Sequence, residues 1–578
     1  MAIKKDRRSF IKKSILGTGG LLIATNIISC EDDFQEEQAI NSFLNNENDM
    51  FPLGIASFDP TATKIIIWCY IETHIIEGKL EWQIATDASF NDIVRYGRVS
   101  TSSEVDYTVS VEVQDLDENK IYYYRFIDII SRSVSDVGET RTFSESNLNN
   151  LKLSVTSCSH YEVGYFNVYK EIANSDVDIV LHLGDYIYEN RANGLSQAEE
   201  IISLGRSHLP SNELLKLEDY RTRYRQYRSD DDLKLLHQKK PFICIWDDHE
   251  IANDSYKEGA SAHQETEGSF EERKNAALQA YSEFLPFTTN DKAVGYRSFK
   301  FGNLAKLVVL DTRLAGRDKQ LKINEYYNVD GNLNELLFRQ DWLEPTRTIL
   351  GETQKDWLKS EISNTSEEWL IVGQQVVMGK IYFPLELITE LHVLNIEKTT
   401  SGTISEESLN RLEILMFELV QIKLRMQALD PTVTTQEKFR VTNVFSYNLD
   451  SWDGYPVERE EILTLLETKK TIVLAGDSHN AWHNEILKEE GNSIVNEFAT
   501  SSVTSPGFEY IIEDPDQRQN FQSGIKALVD QLSYFNSSNR GYIELNLQPG
   551  NANANWIMVD TILSKDFNAH SDHSVSVS

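Results

Sequence analysis

Residues 50–146 are predicted to be all-β, because short runs of β-branched and aromatic residues follow one another between turn residues. The four clearest runs cover residues 64–70, 80–84, 107–113 and 122–126. Trp68 on an early strand and a tyrosine-rich late strand are typical of an immunoglobulin- or fibronectin-like sandwich. Cys69 has no cysteine nearby in sequence, so we interpret it as a small core residue. The sequence therefore predicts an all-β sandwich domain at residues 50–146.

After residue 150 the pattern changes to short apolar strands that alternate with amphipathic helical stretches, which is typical of a layered α/β fold. The predicted strands cover residues 151–156, 178–183, 241–246, 306–310, 369–372 and 471–475, and the clearest helices cover 166–173 and 270–283. Residues 405–429 have apolar side chains at helical spacing within a predicted helical insertion at about 385–432, for which packing on the domain is favoured over a position above a site. We predict an α/β domain at 150–562 and a polar tail at 563–578 with solvated His570 and His573.

Side chains that bind metals or anions follow five of these strands at the point where each strand ends. They are Cys158 and His160; Asp185, Tyr188 and Glu189; Asp247, Asp248, His249, Glu250, Asn253 and Asp254; Asp311 and Arg313; and Asp477 and His479. Ligands of open α/β sheets bind beyond the carboxyl ends of the strands, so these side chains should converge. Converging carboxylates repel one another unless cations lie between them. The sequence therefore predicts a metal site, with histidine and carboxylate ligands suited to first-row metals and extra oxygen ligands suited to Ca²⁺.

The charge of the chain limits its partners. Lys and Arg number 56 against 90 Asp and Glu, a net charge of −34. An acidic surface repels phosphate backbones, so we expect no nucleic-acid partner. A small phosphate ester is not excluded, because bound cations reverse the local field. We expect a monomer.

Residues 1–29 are interpreted as an export signal. Basic residues precede an apolar stretch at 14–29 that is too short to span a bilayer. Arg7 and Arg8 begin a run that resembles a twin-arginine signal. The stretch ends in IISC, which resembles a bacterial lipobox with Cys30 as the lipidated residue; a plain signal peptide cleaved elsewhere is the alternative. Residues 30–49 are then an acidic tether, and the protein is expected in the periplasm or on the cell surface, anchored to a bacterial membrane.

Seven segments show a more specific resemblance. In chain order they are TSCSHYEVGYFNVYKEIANSDVDIVLHLGDYIYE, YRQYRSDDDLKLLHQKKPFICIWDDHEIANDSY, LVVLDTR, WLIVGQQVVMG, VLAGDSHNAW, EFATSSVTSPG and NRGYIELNL. Their order and spacing resemble the PhoD-like alkaline phosphatase family, a branch of the metallophosphoesterases, over residues 50–548. The resemblance implies a metallophosphoesterase-type β-sandwich core with flanking helices, and a binuclear or larger site containing Fe³⁺ and Ca²⁺.

The resemblance also implies a role for each ligand. Cys158 stands where the superfamily places its first aspartate and would bind iron as a thiolate. Asp185 would bridge metals, and Tyr188 would bind Fe³⁺ as a phenolate. The other implied metal ligands are Asp248, Asn253, Asp477 (where the superfamily has a histidine) and His479.

The activity that the resemblance implies is hydrolysis of phosphate monoesters by a metal-bound hydroxide. His249 would protonate the leaving alkoxide. Arg313 would stabilise charge in the transition state, and a surface ion pair between Asp311 and Arg313 is the competing interpretation. Phosphodiesterase activity at the same site, for example on phospholipid head groups, is a second hypothesis. A non-catalytic surface lipoprotein that binds ligands through its β-sandwich is a third.

Other polar residues near these segments have less defined roles. The sequence leaves His160 undecided between a metal ligand and a structural residue. Packing is favoured for several residues, namely His182, Tyr186, Cys244 and His483. Asp247 and Asp254 are interpreted as supporting residues outside the ligand set. Four residues either shape a pocket or fill it: Trp246, Gln374, Gln375 and Trp482.

Overall fold

The structure is a computed structural model that describes residues 50–72, 77–193, 199–289, 291–329, 333–487 and 493–578. The predicted signal peptide (1–29) and the predicted acidic tether (30–49), which begins with Cys30, lie outside these residues. Within the described ranges, no helix combines the length and the hydropathy needed to cross a membrane.

The strands and helices follow the predicted pattern closely. The strands are β1 (Ile55–Phe58), β2 (Ile65–Tyr70), β3 (Glu77–Ala85), β4 (Ile93–Ser102), β5 (Thr108–Val113), β6 (Ile121–Asp128), β7 (Gly138–Arg141), β8 (Leu151–Thr156), β9 (Ile179–His182), β10 (Phe242–Cys244), β11 (Arg297–Phe301), β12 (Ala305–Val309), β13 (Trp369–Gly373), β14 (Tyr382–Pro384), β15 (Val444–Ser446), β16 (Lys470–Ala475), β17 (Ala481–Leu487), β18 (Ser493–Ala499), β19 (Leu532–Asn536), β20 (Arg540–Gln548), β21 (Asn551–Val559) and β22 (Ala569–Val577). The helices are α1 (Asn167–Asn174), α2 (Glu199–Ser203), α3 (Leu217–Arg228), α4 (Asp231–Lys239), α5 (Phe270–Phe284), α6 (Glu335–Trp342), α7 (Gly351–Ser363), α8 (Leu385–Ser401), α9 (Glu406–Gln427), α10 (Thr435–Thr442), α11 (Pro456–Leu466) and α12 (Pro515–Leu528). The predicted strands after residue 150 correspond to β8, β9, β10, β12, β13 and β16.

Two large sheets that share a core build the centre of the molecule. Among the described residues, one has nine strands in the order β22-β21-β20-β8-β9-β10-β1-β2-β5, and the other has seven in the order β11-β12-β13-β16-β18-β17-β19. The strands β8, β9 and β10 run parallel, as do β12, β13 and β16. Every residue of β9 and β13 is buried, as expected for parallel strands covered on both faces. Leu181 of β9 and Leu307 of β12 lie in the same core, which confirms the layered α/β fold.

The N-terminal strands form a β-sandwich, and one of its two sheets continues the nine-stranded sheet of the α/β part. Strands β1, β2 and β5 extend the nine-stranded sheet, since β1 pairs in parallel with β10 at Phe58 and Phe242. Strands β4, β3, β6 and β7 form a four-stranded sheet, and Ile67, Cys69 and Trp82 lie in the core between the two sheets. The apolar pattern of β1 does not depend on which strand it pairs with. The sequence therefore could not predict its pairing with the distant strand β10. The domain boundary at residue 146 stays a prediction.

Trp68 faces away from the sandwich core that the sequence suggested for it. Side chains alternate along a strand, so Ile67 and Cys69 point to one face of β2 and Trp68 to the other. The Trp68 indole N–H donates to the carbonyl of Glu283 in α5 at 2.7 Å. The tryptophan therefore joins the sandwich to the α/β part of the molecule, whereas Cys69 is the core residue that we predicted.

The region predicted as a helical insertion, about 385–432, contains α8 and α9, and α10 follows directly after it. Leu412, Met416 and Leu419 of α9 are buried in a hydrophobic core of their own with Phe521 and Ile525 of α12. The insertion is thus a packed subassembly, as favoured from its sequence.

The C-terminal segment is polar but not a free tail. Strand β22 pairs antiparallel with β21 at the edge of the nine-stranded sheet. His570 is exposed, whereas the His573 ring stacks on Tyr534 with the ring centroids 4.2 Å apart. The prediction that His573 is solvated is therefore wrong, because the alternation of β22 directs this side chain to the covered face.

Candidate metal centre

A buried glutamate holds the turns after β9 and β10 together. The Glu250 carboxylate accepts hydrogen bonds from the backbone N–H groups of Asp185 (3.0 Å) and Asp247 (2.6 Å). Gly184 has a φ of 105°, and a Cβ on it would lie 2.3 Å from Cβ of Asp247, so only glycine fits here. The Cys158 N–H donates to the Gly184 carbonyl at 3.1 Å. The ends of three parallel strands are therefore fixed to one another.

Four predicted ligands have a left-handed backbone. Their φ angles are 62° at Cys158, 55° at Asp185, 58° at Asp477 and 58° at His479. A non-glycine residue in this region costs about 1–3 kcal/mol and persists only where the surrounding structure determines it. Such strain concentrates at functional sites, and here it coincides with the residues singled out by the sequence.

Candidate ligand atoms form three overlapping groups. Within each group, one ligand atom per residue lies within 4.8 Å of the others: Cys158, Asp185 and His479; Asp185, Asp248 and His249; and Asp247, Asp248 and Asp477. Asp185 belongs to the first two groups and Asp248 to the last two. A shared carboxylate can bridge neighbouring cations, so the arrangement suits more than one ion. The first group offers sulfur, nitrogen and oxygen, whereas the third offers only carboxylate oxygens.

Tyr188 and His479 complete the first group. The Tyr188 hydroxyl donates to Asp185 Oδ2 at 2.9 Å and lies 3.3 Å from His479 Nε2. The Ser505 hydroxyl donates to the Tyr188 oxygen at 2.6 Å. His479 uses Nδ1 to donate to the Pro506 carbonyl at 2.9 Å, which leaves Nε2 directed at the cluster. Such a hydrogen bond on the far nitrogen is the usual way to orient a metal-binding histidine.

His249 forms a buried pair with Glu189. Its Nδ1 lies 2.6 Å from Glu189 Oε2. Burial lowers the pKa of His249, but Glu189, Asp185 and Asp248 outweigh that effect and raise the pKa well above its usual value. The neighbouring carboxylates therefore favour the protonated imidazole, which suits the predicted proton donor. Its place in the second group leaves ligation as the alternative.

Arg313 is completely buried among carboxylates. Its guanidinium donates to Asp247, to Asp450 (Oδ1, 2.9 Å) and to Asp477 (2.9 Å). The surface ion pair with Asp311 is wrong, because Asp311 is also buried and accepts the backbone N–H of Arg313. At least three N–H groups of Arg313 donate to carboxylates, so the geometry supports a role in which Arg313 positions Asp247 and Asp477. Contact between Arg313 and the substrate stays a prediction.

The carboxylates of the cluster repel one another when no cations are bound. Burial raises the pKa of Asp185 and Asp247 well above the usual range, and raises that of Asp477 to about 8. Asp248 differs, because the opposing charges of Arg313 and His249 outweigh its burial and lower its pKa to about 2. Bound cations would favour the ionised form of every one of these groups.

The Cys158 thiol and the Tyr188 phenol also need nearby cations to ionise. Burial and the Asp185 carboxylate raise the pKa of Cys158 and of Tyr188 well above their usual values. Asp247 Oδ2 is buried and lacks a hydrogen-bond partner within the described part of the chain. Thiolate, phenolate, imidazole and carboxylate form a donor set that matches multivalent cations, so the residues present fit a multinuclear metal centre.

Several residues with sequence-based interpretations lie beside the cluster or away from it. Asn253 uses its backbone N–H to donate to Glu189 Oε1 at 2.7 Å, and its role as a metal ligand stays a prediction. His182 is a core histidine, paired with the Tyr169 hydroxyl at 2.8 Å. Cys244 is buried, and His483 pairs with Asn496 at 3.1 Å outside the ligand groups.

The four candidate pocket residues connect and fill the strand ends. Gln375 donates from Nε2 to the Trp246 carbonyl at 2.7 Å, and Gln374 accepts the Trp452 indole N–H at 2.8 Å. The Trp482 ring stacks on Phe535 with the ring centroids 4.1 Å apart. All four candidates are completely buried, so they fill the interior rather than line an open pocket.

The sequence interpretation missed the partners of the ligands. Asp450 binds both Arg313 and Arg317 (Nη2 to Oδ1, 2.7 Å), and it follows the short strand β15, which carries no ligand pattern. The Ser505 hydroxyl oxygen also lies 3.0 Å from the carbonyl oxygen of Cys158. Glu189 and Glu250 were visible beside the motifs, but their spacing gave no hint that they support His249 and the two turns.

Two packed sheets with candidate metal ligands at the ends of their parallel strands are the arrangement expected of a metal-dependent phosphoesterase. A purple acid phosphatase from yellow lupin (Lupinus luteus) seeds has a similar fold, with a TM-score of 0.50 and 11% identity over 91% of this chain and 74% of that chain. At that identity the likeness concerns the fold alone.

The sequence identifies the family. The profile of the PhoD-like phosphatases matches residues 153–556, and the profile of their N-terminal domain matches residues 37–144. Alkaline phosphatase D of Bacillus subtilis (strain 168) is 30% identical over 571 residues, which cover 94% of this chain and 82% of that protein. A solved structure of PhoD is 27% identical, with a TM-score of 0.71 over 92% of this chain and 91% of that chain. This chain belongs to the PhoD-like phosphatase family and is a phosphoester hydrolase.

Proposed function

We propose that this protein is an exported enzyme that hydrolyses phosphate monoesters at the cluster beyond β8, β9, β10 and β16. The observation that carries the proposal is the convergence of Cys158, Asp185, Tyr188 and His479 beside His249. A small phosphate ester is a dianion that needs cationic partners, and this donor set is built to hold them.

We assign Fe³⁺ to the group of Cys158, Asp185, Tyr188 and His479, because thiolate, phenolate and imidazole suit a transition metal better than Ca²⁺. The oxygen-only group of Asp247, Asp248 and Asp477 suits Ca²⁺, with Asn253 as a further oxygen ligand. When bound, such cations supply Lewis acidity, which neutralises charge on phosphoryl oxygens and lowers the pKa of water.

The protein's own side chains supply the remaining steps. His249 uses Nδ1 for Glu189, so Nε2 is the atom that transfers a proton to the leaving-group oxygen. Glu189 keeps the imidazole protonated and oriented. Arg313 holds the carboxylates of Asp247 and Asp477 in position to bind cations.

The proposal includes the cellular location of the protein. The basic N-terminus, the apolar stretch and Cys30 support export and a lipid anchor that leaves a monomeric enzyme at the periplasmic or outer face of a bacterial membrane. Mass spectrometry of the mature N-terminus tests this directly. A diacylglycerol-modified Cys30 is expected, and an unmodified N-terminus at another residue would refute the anchor.

The activity is tested with the purified mature protein against paired phosphomonoesters and phosphodiesters, with and without Ca²⁺ and chelator. We expect monoester hydrolysis that a chelator abolishes and that Asp185→Asn loses. Asp178→Asn is the matched control, because Asp178 precedes the same strand and pairs with Arg141 far from the cluster. A preference for diesters would replace the monoester assignment, and hydrolysis unaffected by Asp185→Asn would refute the site.

A further inference from the structure

A second group of metal-ligand side chains lies outside the three groups of the phosphoesterase centre. One ligand atom from each of His160, Glu162 and His208 lies within 4.8 Å of the others, and all three residues are buried. The group shares no member with the first three. It joins the segment just after β8 to the loop that precedes α3, two parts of the chain that secondary structure does not connect.

His160 is directed toward this second group although it follows Cys158 by only two positions. Its ring lies 4.6 Å from the Tyr188 ring and 4.7 Å from the His208 ring, measured between centroids. Both ring nitrogens are buried, and neither has a hydrogen-bond partner within the described residues. An imidazole needs at least one partner when it is removed from water, so an ion or a water molecule is required here.

The other two residues are already oriented as ligands. The Tyr227 hydroxyl lies 3.2 Å from His208 Nε2, which leaves His208 Nδ1 3.7 Å from Glu162 Oε2. The Glu162 carboxylate accepts the backbone N–H groups of His208 (2.8 Å) and Asn193 (3.0 Å). Supporting hydrogen bonds of this kind fix the tautomer and the direction of metal-binding side chains.

We propose that His160, Glu162 and His208 bind a divalent first-row cation, Zn²⁺ by preference, in a buried site separate from the phosphoesterase centre. Two imidazoles and one carboxylate suit zinc, and a water completes four-coordination. Zinc–nitrogen bonds of about 2.0–2.1 Å place neighbouring ligand atoms roughly 3.3 Å apart, so small side-chain movements close the site.

The donor atoms select the type of metal. Glu162 supplies the only carboxylate of the group, and the other two donors are imidazole nitrogens. Ca²⁺ depends on several charged or carbonyl oxygens and is disfavoured by this environment. Imidazole nitrogen donors favour zinc. Zinc here would tie the loop before α3 to the segment that packs on Tyr188.

The first test measures zinc stoichiometry in the full mature protein. The wild type, His208→Gln and His237→Gln are dialysed against Zn²⁺ with Ca²⁺ in excess, and the retained zinc is measured by mass spectrometry. His237 is the matched control, because it is buried and paired with a tyrosine hydroxyl, Tyr186 at 2.9 Å, outside the group. We expect His208→Gln to retain one zinc fewer than the wild type and His237→Gln to match the wild type. Equal zinc in all three proteins would overturn the proposal.

The second test needs no variant. The zinc-edge X-ray absorption spectrum is recorded on protein that retains its own metals and has received one equivalent of Zn²⁺. Two imidazoles and oxygen without sulfur are expected. A sulfur shell at about 2.3 Å would place the zinc at Cys158, and a spectrum without imidazole would place it elsewhere; either overturns the proposal. Neither test depends on phosphatase activity, so the proposed function and the zinc site fail separately.

Discussion

At the scale of single residues, Tyr188 is the side chain that contacts both the first ligand group and His249. It contacts Asp185 and His479 through its hydroxyl, and its ring lies 4.2 Å from the His249 ring between centroids. It thereby connects the proposed iron ligands to the proposed proton donor. A tyrosine in this position has a function that phenylalanine cannot supply.

We expect Tyr188→Phe to lose the visible absorbance of the purified enzyme, because an Fe³⁺–phenolate pair absorbs visible light and phenylalanine has no oxygen. Activity should fall about 10–100-fold through weaker metal binding. The visible spectrum and the iron content check this prediction.

Tyr186→Phe is the matched control. Tyr186 is buried two residues earlier, and its hydroxyl pairs with His237 rather than with the cluster. The control should keep the absorbance. An unchanged spectrum in Tyr188→Phe would remove Tyr188 from the metal centre.

His249→Gln should lower the rate on alkyl phosphates by about 10²–10⁴-fold, because an alkoxide leaving group needs a proton. p-Nitrophenyl phosphate needs that proton less and should lose much less activity. The ratio of the two rates, measured on wild type and variant, checks the assignment. Equal losses on both substrates would identify His249 as a ligand instead.

Glu189→Gln tests how the proton on His249 is held. The carboxylate raises the pKa of His249, so its removal lowers that pKa. The acid form is then lost at a lower pH, and the alkaline limb of the rate profile should move to lower pH. A limb that moves to higher pH, or not at all, would contradict the role of Glu189.

At the scale of elements, the unit that matters is a parallel strand with its following turn. The order and bounds of β8, β9, β10, β12, β13 and β16 could be predicted from sequence, because buried parallel strands are continuous apolar runs that end in polar turns. The assignment of β1, β2 and β5 to the nine-stranded sheet could not, since it depends on which distant strand supplies the edge.

Gly184→Ala should destabilise the protein by at least about 2 kcal/mol and release metal, because the methyl group would meet the backbone and Cβ of Asp247 at a φ of 105°. Denaturant titration and metal content measure both effects.

Gly402→Ala is the control for the backbone angle alone. Gly402 follows α8 with a φ of 78° and has no atom within 4 Å of its Cβ position. It should cost only about 1–2 kcal/mol and keep the metal. A similar loss of metal in both variants would contradict the argument from Gly184.

At the scale of the whole molecule, the buried negative charge makes stability depend on cations. Burial raises the pKa of Asp477 to about 8 without metals. A carboxyl group with this shift binds a proton in the metal-free folded protein at pH 7 that the unfolded chain releases, so the contribution of Asp477 to stability decreases as pH rises from about 4 to 8.

Whether Asp477→Asn or the wild type is the more stable protein should therefore depend on whether cations are present. With chelator, the variant should be more stable than the wild type by roughly 2–4 kcal/mol at pH 7, because the wild type must take up a proton at Asp477 when it folds and asparagine is neutral in both states. With cations present, the wild type should be the more stable of the two. Thermal unfolding under both conditions measures the order.

Asp516→Asn is the control, because Asp516 is exposed in the first turn of α12. It should show no inversion. The same order for Asp477→Asn under both conditions would show that this carboxylate binds no cation.

The sequence by itself determined which chemical groups the centre can use and where the strands that present them end. Cys158, Asp185, Tyr188 and His479 stand directly after apolar runs, and strand and turn preferences are local properties of the chain. Their convergence follows from the parallel arrangement that such runs adopt.

Only the tertiary structure decided what each group faces. Arg313 is buried against Asp450, which lies 137 residues away along the chain, and His160 faces His208 instead of joining Cys158. Contacts between distant segments depend on how the sheets and loops pack, and no local pattern encodes them.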